Sequence, residues 1–238
     1  MSATSRKGQS GLTLIELLMG IVIAGIISTM LLLGWFSLQR SYAYSVNSNF
    51  QRDSARQALS RMQAEVRDSQ APAAPSTQPP LVAAFPYWIE FCTTFNTAGD
   101  VIPGQAPRLV IYRLYSDRTI WRFEDLNGNG VIAGVSTSPP PGNPSTVTGE
   151  QTAGEGARLL LKNVTNYDAN PGDPVPLFRY MYYDQTGALQ VADSVSNATY
   201  NDRSNTVAVL IHVLEDLNPK HSPVYADLQI TAQLRNQR

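Results

Sequence analysis

Close to the N-terminus the apolar positions are not periodic but continuous. From Leu17 to Gln39, LLMGIVIAGIISTMLLLGWFSLQ, no charged side chain occurs. A helix needs about 20 mainly apolar residues to cross a bilayer. This run is apolar around its whole circumference, so it predicts a membrane-inserted segment over residues 12–39 rather than a helix half-buried in a core. A cleaved secretory signal is the competing reading, with Ser41-Tyr42-Ala43 as a small-x-small cleavage site. Against it, the stretch exceeds the about 7–15 residues of a signal's apolar region.

Beyond Arg40 the pattern acquires a helical period. Tyr42, Val46, Phe50, Ala55, Leu59, Met62 and Val66 fall mostly on one stripe, and neither Pro nor Gly occurs between Arg40 and Asp68. Arg52, Arg56, Arg61 and Arg67 occupy the other faces, with Asp53 and Glu65 at pairing distance. One helix over residues 12–70 is predicted, its second half lying on its own domain, with Pro72 ending it. Residues 71–80, APAAPSTQPP, form a stiff uncharged linker.

After the linker the period shortens to two. Tyr87–Phe91, Arg108–Tyr115, Thr119–Glu124, Arg158–Lys162, Leu177–Tyr183, Thr206–Leu214 and Val224–Leu234 read as short strands rich in β-branched and aromatic residues. Asp184-Gln185-Thr186-Gly187 suits a hairpin turn. No helical pattern separates these runs, so residues 81–238 should form a curved antiparallel sheet packed on the amphipathic half of the helix. The fold class is α+β. The uncharged stretch Leu126 to Gly149, which contains SPPPGNP, reads as a solvent-exposed excursion or contact surface.

Composition narrows the function. Charged residues are 16% of the 238, below the roughly 25% of ordinary soluble domains, and 18 basic against 19 acidic side chains lack the excess of a dedicated nucleic-acid binder. The single cysteine, Cys92, excludes an intrachain disulfide and a cysteine-based zinc cage, and reads as an inert buried thiol. Two histidines, His212 in an apolar strand and His221 in a Pro-flanked turn, are not accompanied by a nucleophile motif, so no enzyme is predicted. Asn163-Val164-Thr165 and Asn197-Ala198-Thr199 have the form of glycosylation sequons and read as polar strand-edge residues.

The start of the apolar segment carries the specific signal. A leader, Met1 to Gly11, contains Arg6 and Lys7, and is followed by Leu12-Thr13-Leu14-Ile15-Glu16. A carboxylate inside a membrane helix costs about 2.5–3.5 kcal/mol at the bilayer centre, so Glu16 calls for a cationic partner. This arrangement resembles the prepilin signal of type IV pilins and pseudopilins. The resemblance implies cleavage between Gly11 and Leu12 by a prepilin peptidase, N-methylation of Leu12, and a pairing of Glu16 with the Leu12 amine of a neighbouring subunit that sets register. Gly8, directly after Lys7, is a second cleavage candidate, but it would displace Glu16 from the fifth mature position. The partners implied are other pilins or pseudopilins through the N-terminal helix, the peptidase, and an inner-membrane assembly platform. The implied location is single-pass in the bacterial inner membrane with residues 81–238 periplasmic, and then the fibre.

Within that family the pieces Trp121-Arg122-Phe123-Glu124-Asp125, Asn163-Val164-Thr165 followed by Phe178-Arg179-Tyr180-Met181-Tyr182-Tyr183-Asp184, and Gln233-Leu234-Arg235-Asn236 look most similar to the large minor pilins of the PilW type and to the GspJ type of type II secretion. The lack of a C-terminal cysteine pair departs from major pilins and favours a minor component. A membrane-tethered domain binding DNA or a surface ligand is the alternative from a different class. No cofactor is expected apart from one candidate: Asp125, Asn127 and Asn129 place oxygens at alternate positions with Gly130 sixth, like the first half of a calcium loop. Ser136 stands where the bidentate Glu would be, so a Gly/Asn turn between strands is the other reading.

Overall fold

The computed structural model describes residues 13–71, 79–95, 106–136, 143–147, 149–167, 174–195, 203–217 and 224–234. It divides into two compact units, Met1–Asn49 and Phe50–Arg238. The first helix, α1, runs from Leu14 to Arg67 over 54 residues. Its apolar first part is exposed along its length, with Leu14, Leu31 and Leu33 all more than 60% accessible. Packing begins later than the helical stripe suggests. Tyr42, Val46 and Phe50 are exposed, whereas Ala55, Leu59, Met62 and Val66 are buried. The helix stops at Arg67 rather than at residue 70; Asp68 N–H still reaches Ala64 O, and Gln70 N–H has turned to Cys92 O at 2.8 Å. Most of the linker, residues 72–78, lies outside the described residues.

The expected single sheet is two. Strands β1 (Leu81–Ala84), β2 (Trp88–Thr93), β3 (Arg108–Leu114), β4 (Ile120–Glu124) and β5 (Arg158–Leu161) form an antiparallel meander. A short helix, α2 (Glu150–Ala153), precedes β5. Strands β6 (Phe178–Tyr183), β7 (Leu189–Ala192), β8 (Thr206–Asp216) and β9 (Tyr225–Gln233) form a second antiparallel sheet in the order β7-β6-β8-β9. β1 and β7, of four residues each, are the strands that the sequence pattern does not show.

One core joins α1 to the inner faces of both sheets. Leu59, Met62 and Val66 of α1 meet Tyr112 and Leu114 of β3, Phe91 of β2, and Val209, Ile211 and Val213 of β8. A second core lies on the opposite face of the first sheet, where Trp88, Cys92, Ile111, Phe123, Ile132 and Val135 cluster. This explains why β2 is buried at every position, and β3 at all but its first. A strand covered on both faces reads as a continuous apolar run, not an alternation. It also corrects the reading of residues 126–149. Ile132 and Val135 of that stretch are buried, so part of it covers the sheet instead of projecting into solvent.

Candidate functional site

At the start of α1 the sequence T-x-x-E builds its own cap. Glu16 folds back so that Oε2 accepts from Thr13 N–H at 3.0 Å and from Thr13 Oγ1 at 2.9 Å. The Glu16 and Leu17 amides both turn to Thr13 O. An acid in the first turn also suits the positive end of the helix dipole. Gly11 and Leu12, the expected cleavage and methylation positions, lie outside the described residues. Among the described residues α1 is the one helix long and apolar enough to cross a membrane, and its most apolar window is not buried by the rest of the chain.

The other end of α1 is fastened by charge. Glu65 is fully buried and receives Arg61 Nε at 2.8 Å, Tyr112 Oη at 2.7 Å and Arg122 Nε at 2.9 Å. Arg122, also buried, bonds Glu124 at 2.7 Å, and Arg108 reaches the other oxygen of Glu124 at 3.3 Å. Burial and the neighbouring Glu65 carboxylate hold the Tyr112 phenol well above its ordinary range, so it stays a donor. Of this network only the Arg61–Glu65 pair follows from sequence spacing; Arg122 lies 57 positions from Glu65.

A second buried cluster pins the covering segment to the outer face of the first sheet. Arg113 Nη1 meets Glu150 Oε2 at 2.8 Å, Tyr115 Oη donates to the same oxygen, and Ser136 N–H donates to Glu150 Oε1 at 2.7 Å. The Arg113 guanidinium sits 5.2 Å from the Trp88 ring centroid. Nothing in the spacing of Glu150 marks it as an ion-pair partner of a strand residue.

The Asp125 loop closes on itself. Asp125 Oδ1 accepts from the amides of Asn127 at 3.1 Å and Gly128 at 2.8 Å, and Oδ2 accepts from Gly130 at 2.6 Å. Asn129 Oδ1 caps Val131 N–H at 2.9 Å. The Asn127 amide donates to Glu155 Oε1 at 2.7 Å, which also takes Leu126 N–H. Gly128 and Gly130 supply the left-handed φ values of 66° and 78°. This is the hydrogen bonding of a turn. Among the described residues no group of three His, Cys, Asp or Glu side chains stands where a metal ion could be held.

The remaining candidates fall into place as framework. Cys92 is buried, and desolvation with the nearby Glu90 and Asp125 carboxylates pushes its thiol up to about 12, out of reach of thiolate chemistry. His212 is half-buried and meets Asp227 at 2.8 Å. Thr165 is buried, its amide bonded to Leu214 O at 2.7 Å, so Asn163-Val164-Thr165 is part of the sheet margin. His221 and Asn197-Ala198-Thr199 lie outside the described residues.

No curated protein and no solved structure matches the chain. A family model does. Its match ends within α1 and is silent about the β-rich part. Residues 6–32, which include Gly11, Leu12 and Glu16, match the prokaryotic N-terminal methylation motif, the prepilin-type cleavage and methylation signal of type IV pilin-like proteins.

Proposed function

We propose that this chain is a minor, PilW-like pilin subunit, a structural component of a type IV pilus. The observation that carries the proposal is the methylation motif over residues 6–32, set on a helix whose apolar first part is exposed among the described residues. Prepilin peptidase cleaves between Gly11 and Leu12 and methylates the new amine. The anchored helix holds the subunit in the inner membrane with its β-rich unit periplasmic until assembly. In the fibre Glu16 pairs with the Leu12 amine of a neighbour, because two opposite charges in a low-dielectric phase attract far more strongly than in water. The buried ion networks hold the framework together and perform no catalysis in this reading.

Intact-mass measurement of the membrane form tests it: the chain begins at methylated Leu12. Retention of Met1 to Gly11 refutes it and leaves a simple tethered domain. Glu16→Val inserts and is cleaved, but does not enter the fibre. Recovery of the chain in sheared surface pili identifies a pilus subunit; loss of type II secretion on its deletion, with pili intact, identifies a pseudopilin of the GspJ type instead.

A further inference from the structure

The edge of a β-sheet is a row of unpaired N–H and C=O groups, and proteins cover such edges or blunt them with charge. Among the described residues the two sheets have four edges, and three are treated that way. β1 is met by Val195, whose N–H donates to Ala84 O at 3.2 Å. On β9 the Thr231 carbonyl is taken by Gln63 Nε2 of α1 at 2.8 Å. β5 opens with the exposed Arg158. β7 differs. Its sequence, Leu-Gln-Val-Ala, contains no charge, Pro or Gly, and its first three residues are exposed.

The register shows which main-chain groups face outward. Tyr183 N–H donates to Asn205 O on the β8 side of β6, and Asp184 N–H donates to Ala188 O on the β7 side. Alternation along an antiparallel ladder then assigns the even residues of β6 to β7 and the odd ones to β8. Gln190 and Ala192 oppose Tyr182 and Tyr180, so their main-chain groups turn inward. Leu189 and Val191 turn theirs outward. The same two residues are 49% and 48% exposed, beside Tyr183 at 47%. Both face the side of the sheet shared with Met181 and Tyr183.

The geometry points to β7 as a docking edge that takes an extended strand from a neighbouring pilin-type subunit, extending β7-β6-β8-β9 by one strand. The inference rests on the assembly reading above and names one of its subunit contacts. Main-chain donors and acceptors on alternate residues select an extended partner about 4.8 Å away, which neither a helix nor a lipid supplies. Leu189, Val191 and Tyr183 ask for apolar side chains at every second position of the incoming strand. The neutrality of the edge opposes no charge on it, since the next residue, Asp193, is already paired with Arg179 at 2.8 Å.

The test compares the mature full chain in detergent with the same chain in purified filaments, reading amide exchange over residues 185–193. Fast exchange in the isolated subunit and slowing by roughly 100-fold or more in the filament is expected. Val191→Pro, which removes one outward N–H, lowers incorporation about tenfold with unchanged leader cleavage and melting. Leu189→Lys, which leaves the main chain intact, does the same, while Gln185→Lys at the hairpin tip assembles normally. Fast exchange in the filament, or normal incorporation of both edge variants, overturns the inference while leaving the cleavage result standing. Protection already present in a concentration-dependent dimer of the isolated subunit also overturns it, because the occupant is then the β7 of a second copy. An uncleaved chain defeats the assembly reading itself and this contact with it.

Discussion

Arg122→Met removes the cation that joins α1 to the first sheet. In the native protein Arg122 makes charge-assisted bonds to Glu65 at 2.9 Å and Glu124 at 2.7 Å, with all three side chains fully buried. Methionine fills most of the volume, so the cost is electrostatic rather than a cavity. Each lost bond to a buried charge is worth about 1.5–3 kcal/mol. Stranding one member of a buried pair typically costs about 3–5 kcal/mol. Glu65 keeps Arg61 and Tyr112 after the change, and Glu124 keeps Arg108 at 3.3 Å, so the figure falls near the middle of that range. For a unit the size of Phe50–Arg238 this lowers Tm by roughly 10 °C. Thermal unfolding of the mature chain in detergent, followed by near-ultraviolet circular dichroism, reads it. Arg179→Met, whose pair with Asp193 is half-exposed, is the control and shifts Tm by about 1–2 °C at most. A double variant with Glu65→Gln loses less than the sum of the two singles, because the second change removes a charge that the first stranded. An Arg122→Met protein melting within about 2 °C of wild type refutes the argument that this network fastens the helix.

Three further outcomes follow from the structure. Glu215 lies on the inward face of β8 opposite Ala226, and its Oε2 has no hydrogen-bond partner among the described residues. Burial raises its carboxyl to about 7. The folded state therefore holds a proton that the unfolded state releases earlier, and stability is lost as pH rises from about 5 through 7. The loss is about 2 kcal/mol, allowing for solvent that still reaches this end of the strand, and denaturant midpoints across pH flatten in Glu215→Gln. Gly134 has φ of 74°, and an added Cβ would stand 2.5 Å from Ala153 O, so Gly134→Ala forces the main chain of the covering segment apart. It costs about 2 kcal/mol or more by chemical denaturation, and an unchanged midpoint contradicts the placement. Because Asp125 is not joined by further carboxylates in a group that could hold a metal ion among the described residues, calcium at ~1 mM, the weak end of protein sites, leaves Tm unchanged. A rise in Tm with calcium that Asp125→Asn abolishes would show that the loop opens to bind the ion.

How much of this could be read in advance differs from element to element. The start of α1 was legible because its signals are local. A continuous apolar run, an acid at its start and a leader ending in Gly each lie within a few residues, and each states its physics without knowledge of the fold; that Glu16 also caps the helix at Thr13 was not read in advance. The strands were legible where alternation lasts, as in Tyr225 to Ile230, and illegible in β1 and β7. The helical stripe misled at Tyr42, Val46 and Phe50, because period records which face is apolar, not what covers it. The covering role of Ile132 and Val135 was hidden by the neutral Pro/Gly-rich composition around them, which resembles an exposed loop.

The sequence alone determined the α+β class, the presence of a long N-terminal helix and the prepilin-type signal over residues 6–32, because these depend on spacing, hydrophobicity and covalent order along the chain. The tertiary structure alone decided that the strands divide into two sheets sharing one core, and that Glu65 faces inward to Arg122 while Glu150 faces Arg113. It alone decided that β7 stands at the edge of the second sheet. Those outcomes join residues far apart in the chain. Whether a charge is solvated or buried is settled only when the other partner arrives, since its desolvation is tolerated in the folded state only if that partner is in place.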